Sequence, residues 1–483
     1  MECYSHDFQK RGDARVREYL KEPAVHHREQ YKRMVQFFSA VILLGILTLQ
    51  FANIWYAYYS DQMVLPFYRR GNWVVITIYA AVLFLFFKVY GGFKIGYLRR
   101  TDVLFSQILS ILGSNVITYL QISLIARDFV SVPPMLLLTA VELVILFCWT
   151  LLTGKLYFLL YPPRRLAIVY GSSAAAALVM KMSYRVDKYM ICESISAQQD
   201  FQTIIDKIQQ YDGVIICDIP AQLRNDLVKY CFDVQLRTYI VPKISDIILR
   251  GADDIRLFDT PLLLCRNYGL TFEQRLMKRA FDLLFCFVVM IPAAPIMLAC
   301  ALAVKLCDGG PIIYKQKRLT KGGKEFYVYK FRSMIIDAEP NGAQVSNDHD
   351  ERVTPVGRIM RKCRLDELPQ LLNILKGDMS VVGPRPERPE LCEEYERKFP
   401  EFRFRLHVKA GLTGYAQVTG VYDTTPYDKL KMDLMYIESY SLLKDIQIVL
   451  MTLKTTMFPI QKSNAELLHP ELNGEKKERE DKA

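Results

Sequence analysis

The sequence lacks the patterns of disulfide-bonded and of metal-binding proteins. Its eleven cysteines are scattered over 483 residues without CxxC or CxxH spacing, and Cys148, Cys286 and Cys300 lie in apolar runs. Cysteines in such runs are typical of small buried side chains. We therefore predict reduced thiols, no disulfide framework and no cysteine metal site.

The N-terminus lacks a signal-peptide pattern, because MECYSHDFQKRGDARVREYLKE is charged throughout. Acidic residues are outnumbered, and the formal net charge is +11. Such a charge indicates nucleic acid, anionic lipid or phosphorylated substrates as partners. Long apolar segments make lipid and phosphorylated substrates the expected partners, and we predict no nucleic-acid binding.

Charge is nearly absent from four long segments in the first third of the chain, each close to the ~20 residues that span a bilayer. They are Met34–Tyr58, Trp73–Val89, Leu104–Ala126 and Pro134–Leu159. The sequence thus predicts a cytoplasmic segment over 1–33 and four transmembrane helices over 34–160.

Short-loop Lys and Arg residues orient this unit. They cluster before the first segment, between the second and third, and after the fourth, which predicts that both ends are cytoplasmic; Arg69 and Arg70 are exceptions in the first outer loop. The only acid well inside a segment is Glu142. One acid makes no ion relay, so we expect an interhelical hydrogen bond and an anchoring and oligomerisation unit.

Residues 164–265 alternate strand and helix patterns and predict a Rossmann-like parallel α/β domain. Glycine is scarce where a dinucleotide fingerprint needs it: Gly171 is present, but Ser173 and Ala176 occupy the other two positions. Tyr184 and Lys188 have the spacing of short-chain dehydrogenases, which chance explains in a tyrosine- and lysine-rich chain. We therefore favour a degenerate packing or regulatory domain over an NAD site.

The apolar run Leu283–Val304 is interrupted by Pro292 and Pro295. Prolines inside a helix kink or break it. We predict a re-entrant helix over about 278–305 that breaks at the prolines and returns, with Lys278 and Arg279 as interfacial anchors at one end and Lys305 at the other. A fully spanning helix is the alternative.

A basic, aromatic β-hairpin pattern follows over residues 312–334, with a turn at Gly322-Gly323. Its cations could face anionic lipid, recruit a diphosphate, or do both; they are Lys315, Lys317, Arg318, Lys321, Lys324, Lys330 and Arg332.

Two adjacent carboxylates, Asp366 and Glu367, precede an apolar helix pattern with Pro369 in its first turn and Gly377 at its end. The pattern places them at a helix N-terminus, where carboxylates and phosphates are favoured. Arginines bracket the pair on both sides, including Arg361 and Arg385. Carboxylates and arginines together indicate phosphate chemistry.

Many motifs in one order resemble the monotopic phosphoglycosyl transferases, bacterial sugar transferases that start glycan assembly on undecaprenyl phosphate. The resemblance covers about Arg275–Pro459, and the spans and α/β domain look like the long form, such as the undecaprenyl-phosphate glucose and galactose phosphotransferases. The motifs include Tyr329-Lys330-Phe331-Arg332-Ser333-Met334, Asp337-Ala338-Glu339, Leu365-Asp366-Glu367-Leu368-Pro369-Gln370, Gly383-Pro384-Arg385-Pro386 and Gly411-Leu412-Thr413-Gly414-Tyr415.

The resemblance implies transfer of a sugar-1-phosphate from a UDP-sugar to undecaprenyl phosphate, with release of UMP, as the first membrane step of exopolysaccharide, capsule or O-antigen synthesis. It implies that Asp366 is the nucleophile, carries a phosphosugar intermediate and holds Mg²⁺, while Glu367 handles a proton or positions a partner. Residues assigned to substrate binding are Arg361, Arg385, Gln316, Arg318, Lys330 and Arg332.

The expected whole is a membrane protein with an N-terminal four-helix transmembrane unit, a Rossmann-like α/β middle domain and a C-terminal α+β monotopic catalytic domain over 275–462. It would lie in the bacterial inner membrane as a homo-oligomer, a dimer, with the catalytic domain on the cytoplasmic face. A disordered tail is expected over 463–483.

Departures from the family pattern leave the donor sugar open. Val418-Thr419-Gly420-Val421 stands where the family often has Asn-Gly-Arg, and Ala294 stands where serine often precedes Pro295. One alternative function is a membrane-anchored nucleotide-sugar dehydratase or epimerase, which would need an intact glycine fingerprint. Another is a non-catalytic scaffold of polysaccharide assembly, against which the intact Asp366-Glu367 pair, Arg361 and Arg385 argue.

Overall fold

The computed structural model describes residues 31–63, 69–172, 174–265, 269–335, 350, 352–420 and 424–457. The predicted cytoplasmic segment 1–33 up to residue 30, the motif Asp337-Ala338-Glu339 and the predicted disordered tail 463–483 lie outside these residues. The chain divides into two compact units, Met1–Val241 and Pro242–Ala483.

The first unit begins with four long apolar helices: α1 Lys32–Ile54, α2 Arg69–Tyr90, α3 Arg100–Ala126 and α4 Pro133–Leu160. Helix α1 continues through a π-turn, Trp55–Tyr59, and a 3-10 turn, Ser60–Gln62. By length and composition these helices are long enough to cross a membrane, so the chain is that of a membrane protein. Their shared core is aromatic, and Phe51 stacks on Tyr79 with ring centroids 4.1 Å apart.

Glu142 joins three of these helices. The Tyr79 hydroxyl of α2 and the Asn115 amide of α3 (2.8 Å) both donate hydrogen bonds to its carboxylate on α4. Asn115 also donates to Thr139 Oγ1 at 2.9 Å. The predicted interhelical hydrogen bond is confirmed.

The first unit ends in a parallel four-stranded sheet of order β2-β1-β3-β4, which confirms the predicted α/β region. Apolar side chains cover both of its faces, because the helices of a parallel sheet pack on both sides. Its elements are β1 Arg164–Tyr170, α5 Ala174–Ser183, β2 Tyr189–Ser196, α6 Phe201–Ile208, β3 Gly213–Cys217, α7 Ala221–Asp233 and β4 Arg237–Ile240.

Gly171 has a packing explanation. A Cβ atom there would lie 2.3 Å from the Asp218 carbonyl oxygen, so only glycine lets the loops after β1 and β3 approach this closely. The one glycine of the incomplete dinucleotide pattern is therefore required by backbone contact, which agrees with the interpretation of a degenerate domain.

The second unit begins before the predicted end of the middle domain at residue 265. Residues that were assigned to the middle domain form helix α8, Ile244–Arg250, and an antiparallel hairpin of β5, Asp253–Leu257, and β6, Thr260–Leu264. Ile244 and Ile247 of α8 belong to the core of the second unit.

Helix α9, Phe272–Asp308, is the longest element of this unit. It starts with a capping box, in which Thr271 Oγ1 accepts from Gln274 N–H at 3.3 Å, and ends at Gly309, which has φ +69°. The helix is continuous through Pro292 and Pro295. The expected break in the secondary structure is therefore wrong, because packed neighbours can maintain helical backbone where proline removes one hydrogen bond.

Two faces of α9 are apolar for different reasons. One face packs into the unit: Cys286 and Ala293 join the main core, and Cys300 and Val304 pack with Phe331 and Met360. The other face exposes residues at helical spacing along its whole length, namely Leu284, Phe287, Ile291, Leu298, Leu302 and Leu306. We call these six residues the exposed stripe of α9.

The remaining elements build a small α+β core beside α9. The hairpin of β7, Ile313–Leu319, and β8, Glu325–Phe331, turns at Gly322 and Gly323 (φ +72° and +75°), as predicted. The rest are α10 Pro355–Lys362, a 3-10 turn Leu365–Glu367, α11 Gln370–Lys376, β9 Ser380–Val382, α12 Pro389–Lys398, a 3-10 segment Pro400–His407, β10 Gly411–Thr413, α13 Tyr415–Thr419, α14 Pro426–Glu438 and α15 Leu442–Met457.

Candidate active site

The carboxylate pair lies on the 3-10 turn Leu365–Glu367, one turn before α11. Arg364 starts this turn with φ +55°, a left-handed conformation that reverses the chain after α10. Asp366 and Glu367 are therefore not in the first turn of an α-helix, and α11 itself has only seven residues. The pair therefore lies at the start of a helical segment, as predicted, but in a 3-10 turn that leads through Leu368 and Pro369 into α11. Side chains supply the charges around it.

Glu367 is held by two cations that sequence analysis had assigned to the substrate. Lys330 Nζ donates to Glu367 Oε1 at 3.0 Å, and Arg385 Nη2 lies 3.8 Å from the same oxygen. Burial alone would raise the pKa of Glu367, but Lys330 and Arg385 outweigh it and lower the pKa to about 2. Glu367 is therefore an ionised partner for cations at neutral pH and a poor proton acceptor.

Asp366 has the opposite electrostatics. It is 8% exposed, and burial raises the pKa of its carboxyl above the usual range, with the Glu367 charge adding to the effect and Lys330 and Arg361 opposing it. Among the described residues, no cation lies within ion-pair distance of its carboxylate. A buried carboxylate without a tight counter-charge is more reactive than one held in a salt bridge.

Arg361 approaches the pair from the last turn of α10. Its Nε donates to Ser333 Oγ at 2.8 Å, which ties α10 to the segment after β8. Gly357 allows this contact, because a Cβ atom there would lie 2.0 Å from the Ser333 carbonyl oxygen. Arg361 is thus anchored close enough to Asp366 to lower the pKa of that carboxyl.

Arg385 stands on a buried loop after β9. Gly383 N–H donates to Thr413 O at 2.8 Å, and a Cβ atom at Gly383 would lie 2.4 Å from Lys409 O. The Arg385 side chain is 46% exposed on this tightly packed backbone. A rigid loop thus presents a guanidinium, whose fork of donors suits phosphate oxygens.

The other predicted substrate-binding residues are engaged within the protein. Gln316 Oε1 accepts from Arg318 Nη2 at 2.6 Å, and Arg318 Nη1 donates to the Pro386 carbonyl at 3.1 Å. Arg332 is buried, and its guanidinium lies against Gly310, where a Cβ atom would come within 2.1 Å of Nη1. The structure therefore brings Lys330, Arg361 and Arg385 to the carboxylates, while Gln316, Arg318 and Arg332 support the surrounding backbone.

The predicted anchors of α9 face the protein. Lys278 is 6% exposed, and its ammonium donates to Asp445 Oδ2 at 2.7 Å and to the Tyr436 hydroxyl at 2.9 Å. Arg279 donates to the carbonyls of Ile374 and Leu375, 2.6 and 2.8 Å away, at the end of α11. The interfacial role expected for Lys278 is wrong, because a buried acid far along the chain pairs with it.

Two further polar residues, Asp282 and Asn373, have structural roles that the sequence did not predict. Asp282 on α9 accepts from Ser380 Oγ and Val381 N–H, both at 2.9 Å, and so fixes β9 before the Arg385 loop. Asn373 on α11 donates to Tyr327 O at 2.7 Å and accepts from Tyr329 N–H at 3.0 Å, which continues the ladder of β8. Their roles were not recognisable from the sequence, because their partners are distant along the chain.

The side chains present fit a Mg²⁺ site in which few protein ligands are combined with substrate phosphates. In the described part of the chain, no three His, Cys, Asp or Glu side chains form a metal cluster. Mg²⁺ is usually held by one or two carboxylates together with substrate phosphates and water. Because Glu367 Oε1 faces both Lys330 and Arg385, Asp366 is the carboxylate that fits such a site better.

Comparison with known proteins places this arrangement in a class. The family described as bacterial sugar transferase matches residues 273–459. That range contains all of α9 except its first residue, together with the carboxylate pair and the Arg385 loop.

Three curated relatives show the level of similarity. A UDP-N-acetylgalactosamine-undecaprenyl-phosphate N-acetylgalactosaminephosphotransferase from Aeromonas hydrophila is 42% identical over 183 residues, 37% of this chain and 43% of the relative. A UDP-glucose:undecaprenyl-phosphate glucose-1-phosphate transferase from Xanthomonas campestris is 35% identical over 239 residues, 48% and 49% of the two chains. One of the same name from Caulobacter vibrioides is 40% identical over 188 residues, 38% of this chain and 70% of the relative.

The chain belongs to the bacterial sugar transferase family, and it resembles the long undecaprenyl-phosphate sugar phosphotransferases. The matched region spans about half the length of the first relatives, 43% and 49%.

Proposed function

We propose that this protein is a polyprenyl-phosphate sugar-1-phosphate transferase, which transfers a sugar-1-phosphate from a UDP-sugar to undecaprenyl phosphate and releases UMP. The observation that carries the proposal is the contrast within the carboxylate pair. Glu367 is paired with Lys330 and Arg385, whereas Asp366 is buried and without an ion pair among the described residues.

The two carboxylates then have separate tasks. A carboxylate oxygen of Asp366 attacks the phosphorus that carries the sugar, the bond from that phosphorus to the bridging oxygen breaks, and UMP leaves. Asp366 then holds the phosphosugar as an acyl phosphate. An oxygen of undecaprenyl phosphate attacks the same phosphorus, which frees the Asp366 carboxylate and gives undecaprenyl-diphosphate-sugar.

Glu367 acts as a positioning residue in this scheme. Its lowered pKa keeps it ionised, so it holds Lys330 and Arg385 beside the reacting phosphates and takes up no proton. Arg385 and Arg361 supply guanidinium donors for phosphate oxygens. Mg²⁺, held by Asp366 and the diphosphate, would neutralise the charge on the electrophile and on the departing UMP.

A membrane placement completes the proposal. Both halves of α9 pack on one unit, through Asp282 and Val304, although a straight helix between these two residues would be about 33 Å long, enough to cross the ~30 Å hydrocarbon core. This packing, with the exposed stripe on the opposite face, supports a helix embedded from one side rather than one with ends on opposite sides of the bilayer. The four N-terminal helices would span the inner membrane, with the catalytic domain on the cytoplasmic face and the protein a dimer.

The donor is a UDP-hexose in this proposal, and glucose, galactose and N-acetylgalactosamine are all candidates. The product would begin a lipid-linked glycan for exopolysaccharide, capsule or O-antigen. A dehydratase would need an intact glycine fingerprint, and Ser173 and Ala176 replace two of its three glycines.

The experiment is a UMP-release assay on detergent-solubilised protein with a panel of UDP-sugars. We expect release beyond one equivalent of UMP per protein only when Mg²⁺ and undecaprenyl phosphate are both present, with one sugar preferred. Asp366→Asn should abolish release, while Lys398→Met, which removes an exposed ion pair on α12, should retain it. Wild-type levels of UMP from Asp366→Asn would reject Asp366 as the nucleophile.

A further inference from the structure

Two arginines from other elements, Arg405 and Arg318, donate hydrogen bonds to the backbone of the loop that carries Arg385. Arg405 Nη2, from the 3-10 segment Pro400–His407, donates to the Arg385 carbonyl at 2.9 Å. Arg318 Nη1, from β7, donates to the next carbonyl, that of Pro386, at 3.1 Å. Two consecutive backbone oxygens are therefore fixed by charged donors, while the Arg385 side chain points outward.

Arg405 is itself held rigidly. Its side chain is 5% exposed; Nη2 lies 2.8 Å and Nε 3.1 Å from Asp433 Oδ2 on α14, and the guanidinium stacks 4.9 Å from the centroid of the Phe402 ring. Asp433 is almost completely buried as well. The pair therefore has a single geometry.

Glu387 joins the two arginines immediately after the loop. Its Oε1 lies 3.7 Å from Arg405 Nη1, and its Oε2 lies 3.8 Å from Arg318 Nη1. Gln316 Oε1 holds the other side of Arg318 through bonds of 2.6 and 3.1 Å. A continuous network of polar contacts thus supports the backbone at Arg385 and Pro386. Its members are Asp433, Arg405, Glu387, Arg318 and Gln316.

Stability alone gives a weak reason for such a network. A buried ion pair recovers little more than the cost of desolvating its charges, and apolar side chains of similar volume often serve equally well. A guanidinium offers what they cannot: several donors in a fixed fork, so that Arg405 can pair with Asp433 and still donate to a carbonyl. The arrangement therefore fits a role in geometry.

We propose that Arg405 and Arg318 are positioning residues that set where the Arg385 guanidinium meets the donor diphosphate. The inference rests on the proposed function, in which Arg385 binds phosphate oxygens. Arg385 Nη2 is only 3.8 Å from Glu367 Oε1, so a displacement of its backbone changes the distance to both partners. Misplacement by about 1 Å can reduce an enzymatic rate about 10²-fold.

The first test is a split between the two substrates. Arg405→Lys keeps the charge beside Asp433 but loses the planar fork, and should raise the KM for the UDP-sugar by about tenfold. The KM for undecaprenyl phosphate should stay within about twofold of wild type, because the proposal places the Arg385 guanidinium on the donor diphosphate. Lys398→Met, which removes the exposed Lys398–Glu394 pair on α12, is the matched control and should leave both values unchanged.

The second test needs no activity. In Arg405→Lys, hydrogen exchange followed by mass spectrometry should be faster than in wild type at Gly383 and Gly411. The N–H groups of these residues bond to Thr413 O and Pro384 O around the loop. Arg405→Met combined with Asp433→Leu removes both charges and leaves no unpaired one, so it guards against loss of folding. Faster exchange around the loop is expected in this double variant, with an unchanged rate at β3 of the α/β sheet.

The outcomes separate the two ideas. A wild-type protein that releases no UMP from any UDP-sugar rejects the proposed function, and hydrogen exchange then decides the positioning role alone. Wild-type exchange around the loop in both Arg405 variants overturns the positioning role. An equal rise of both KM values, with unchanged exchange, also overturns it.

Discussion

Lys330 pairs with Glu367 and not with the adjacent Asp366. The ammonium lies 3.0 Å from Glu367 Oε1, and the two acids have opposite pKa shifts: that of Glu367 is lowered to about 2 and that of Asp366 is raised. The pKa values of the adjacent carboxylates thus shift in opposite directions because Glu367, and not Asp366, forms an ion pair with Lys330 of the hairpin. This asymmetry assigns different chemistry to each acid.

Trapping of the covalent intermediate should separate the two acids. With a UDP-sugar labelled in the sugar, and no undecaprenyl phosphate, wild-type protein should become labelled in one turnover. Glu367→Gln should be labelled about 10²-fold more slowly, because Lys330 and Arg385 lose the charge that orients them. Asp366→Asn should remain unlabelled. Equal loss of label in both variants would contradict the separate roles.

The acid limb of the pH–rate profile should depend on Lys330. Attack needs ionised Asp366, so kcat/KM falls as pH drops through the Asp366 pKa, which burial raises above the ordinary 3.8. Lys330 lowers that pKa, so Lys330→Met should move the limb to higher pH. In the wild-type protein Glu367 is ionised throughout this range, because Lys330 and Arg385 lower its pKa to about 2. Lys324→Met on the same hairpin serves as the control, and a limb that stays in place in Lys330→Met would count against Asp366 as the titrating group.

The close approach at Gly383 predicts a stability effect. Gly383→Ala places Cβ 2.4 Å from Lys409 O, so the loop must shift, and we expect a loss of about 1–3 kcal/mol. Gly45→Ala is the control, because no atom lies within 4 Å of the added methyl group. Thermal unfolding by intrinsic fluorescence in detergent should show a lower Tm only for Gly383→Ala. A smaller shift than that of Gly45→Ala would show that this backbone contact is adaptable.

Membrane orientation can be tested by cysteine labelling in intact cells. Lys321→Cys, exposed on the β7–β8 turn, should react with an impermeant maleimide only after the cells are permeabilised. Phe129→Cys, exposed between α3 and α4, should react directly, since that loop is predicted to lie outside. Direct reaction at both positions would contradict a catalytic domain on the cytoplasmic face.

Local signals in the sequence predicted the elements well. The Gly322-Gly323 turn, the apolar helices and the parallel α/β alternation depend on glycine conformations and apolar periodicity, which are local properties. The lysine of the hairpin, the carboxylate pair and Arg385 were also recognisable, because they stand in contiguous motifs.

Long-range partners were beyond sequence reasoning. Lys278 looked like an interfacial lysine, since its partner Asp445 is 167 residues away. Arg405 is an unremarkable arginine until folding places it below Arg385. The path of α9 through both prolines likewise depends on neighbours that pack on it, and proline alone predicted an interruption.

The Lys278–Asp445 pair also constrains how the catalytic unit can be made. At about 5–20 residues per second, roughly 10–30 s separate the synthesis of these two partners. Early in that interval α9 has left the ribosome, while the core that packs on one of its faces, including Phe331 and Met360, is still being made. In the proposed membrane placement, the bilayer surface would cover the exposed stripe of α9, while the opposite face of the helix receives the core that is made later.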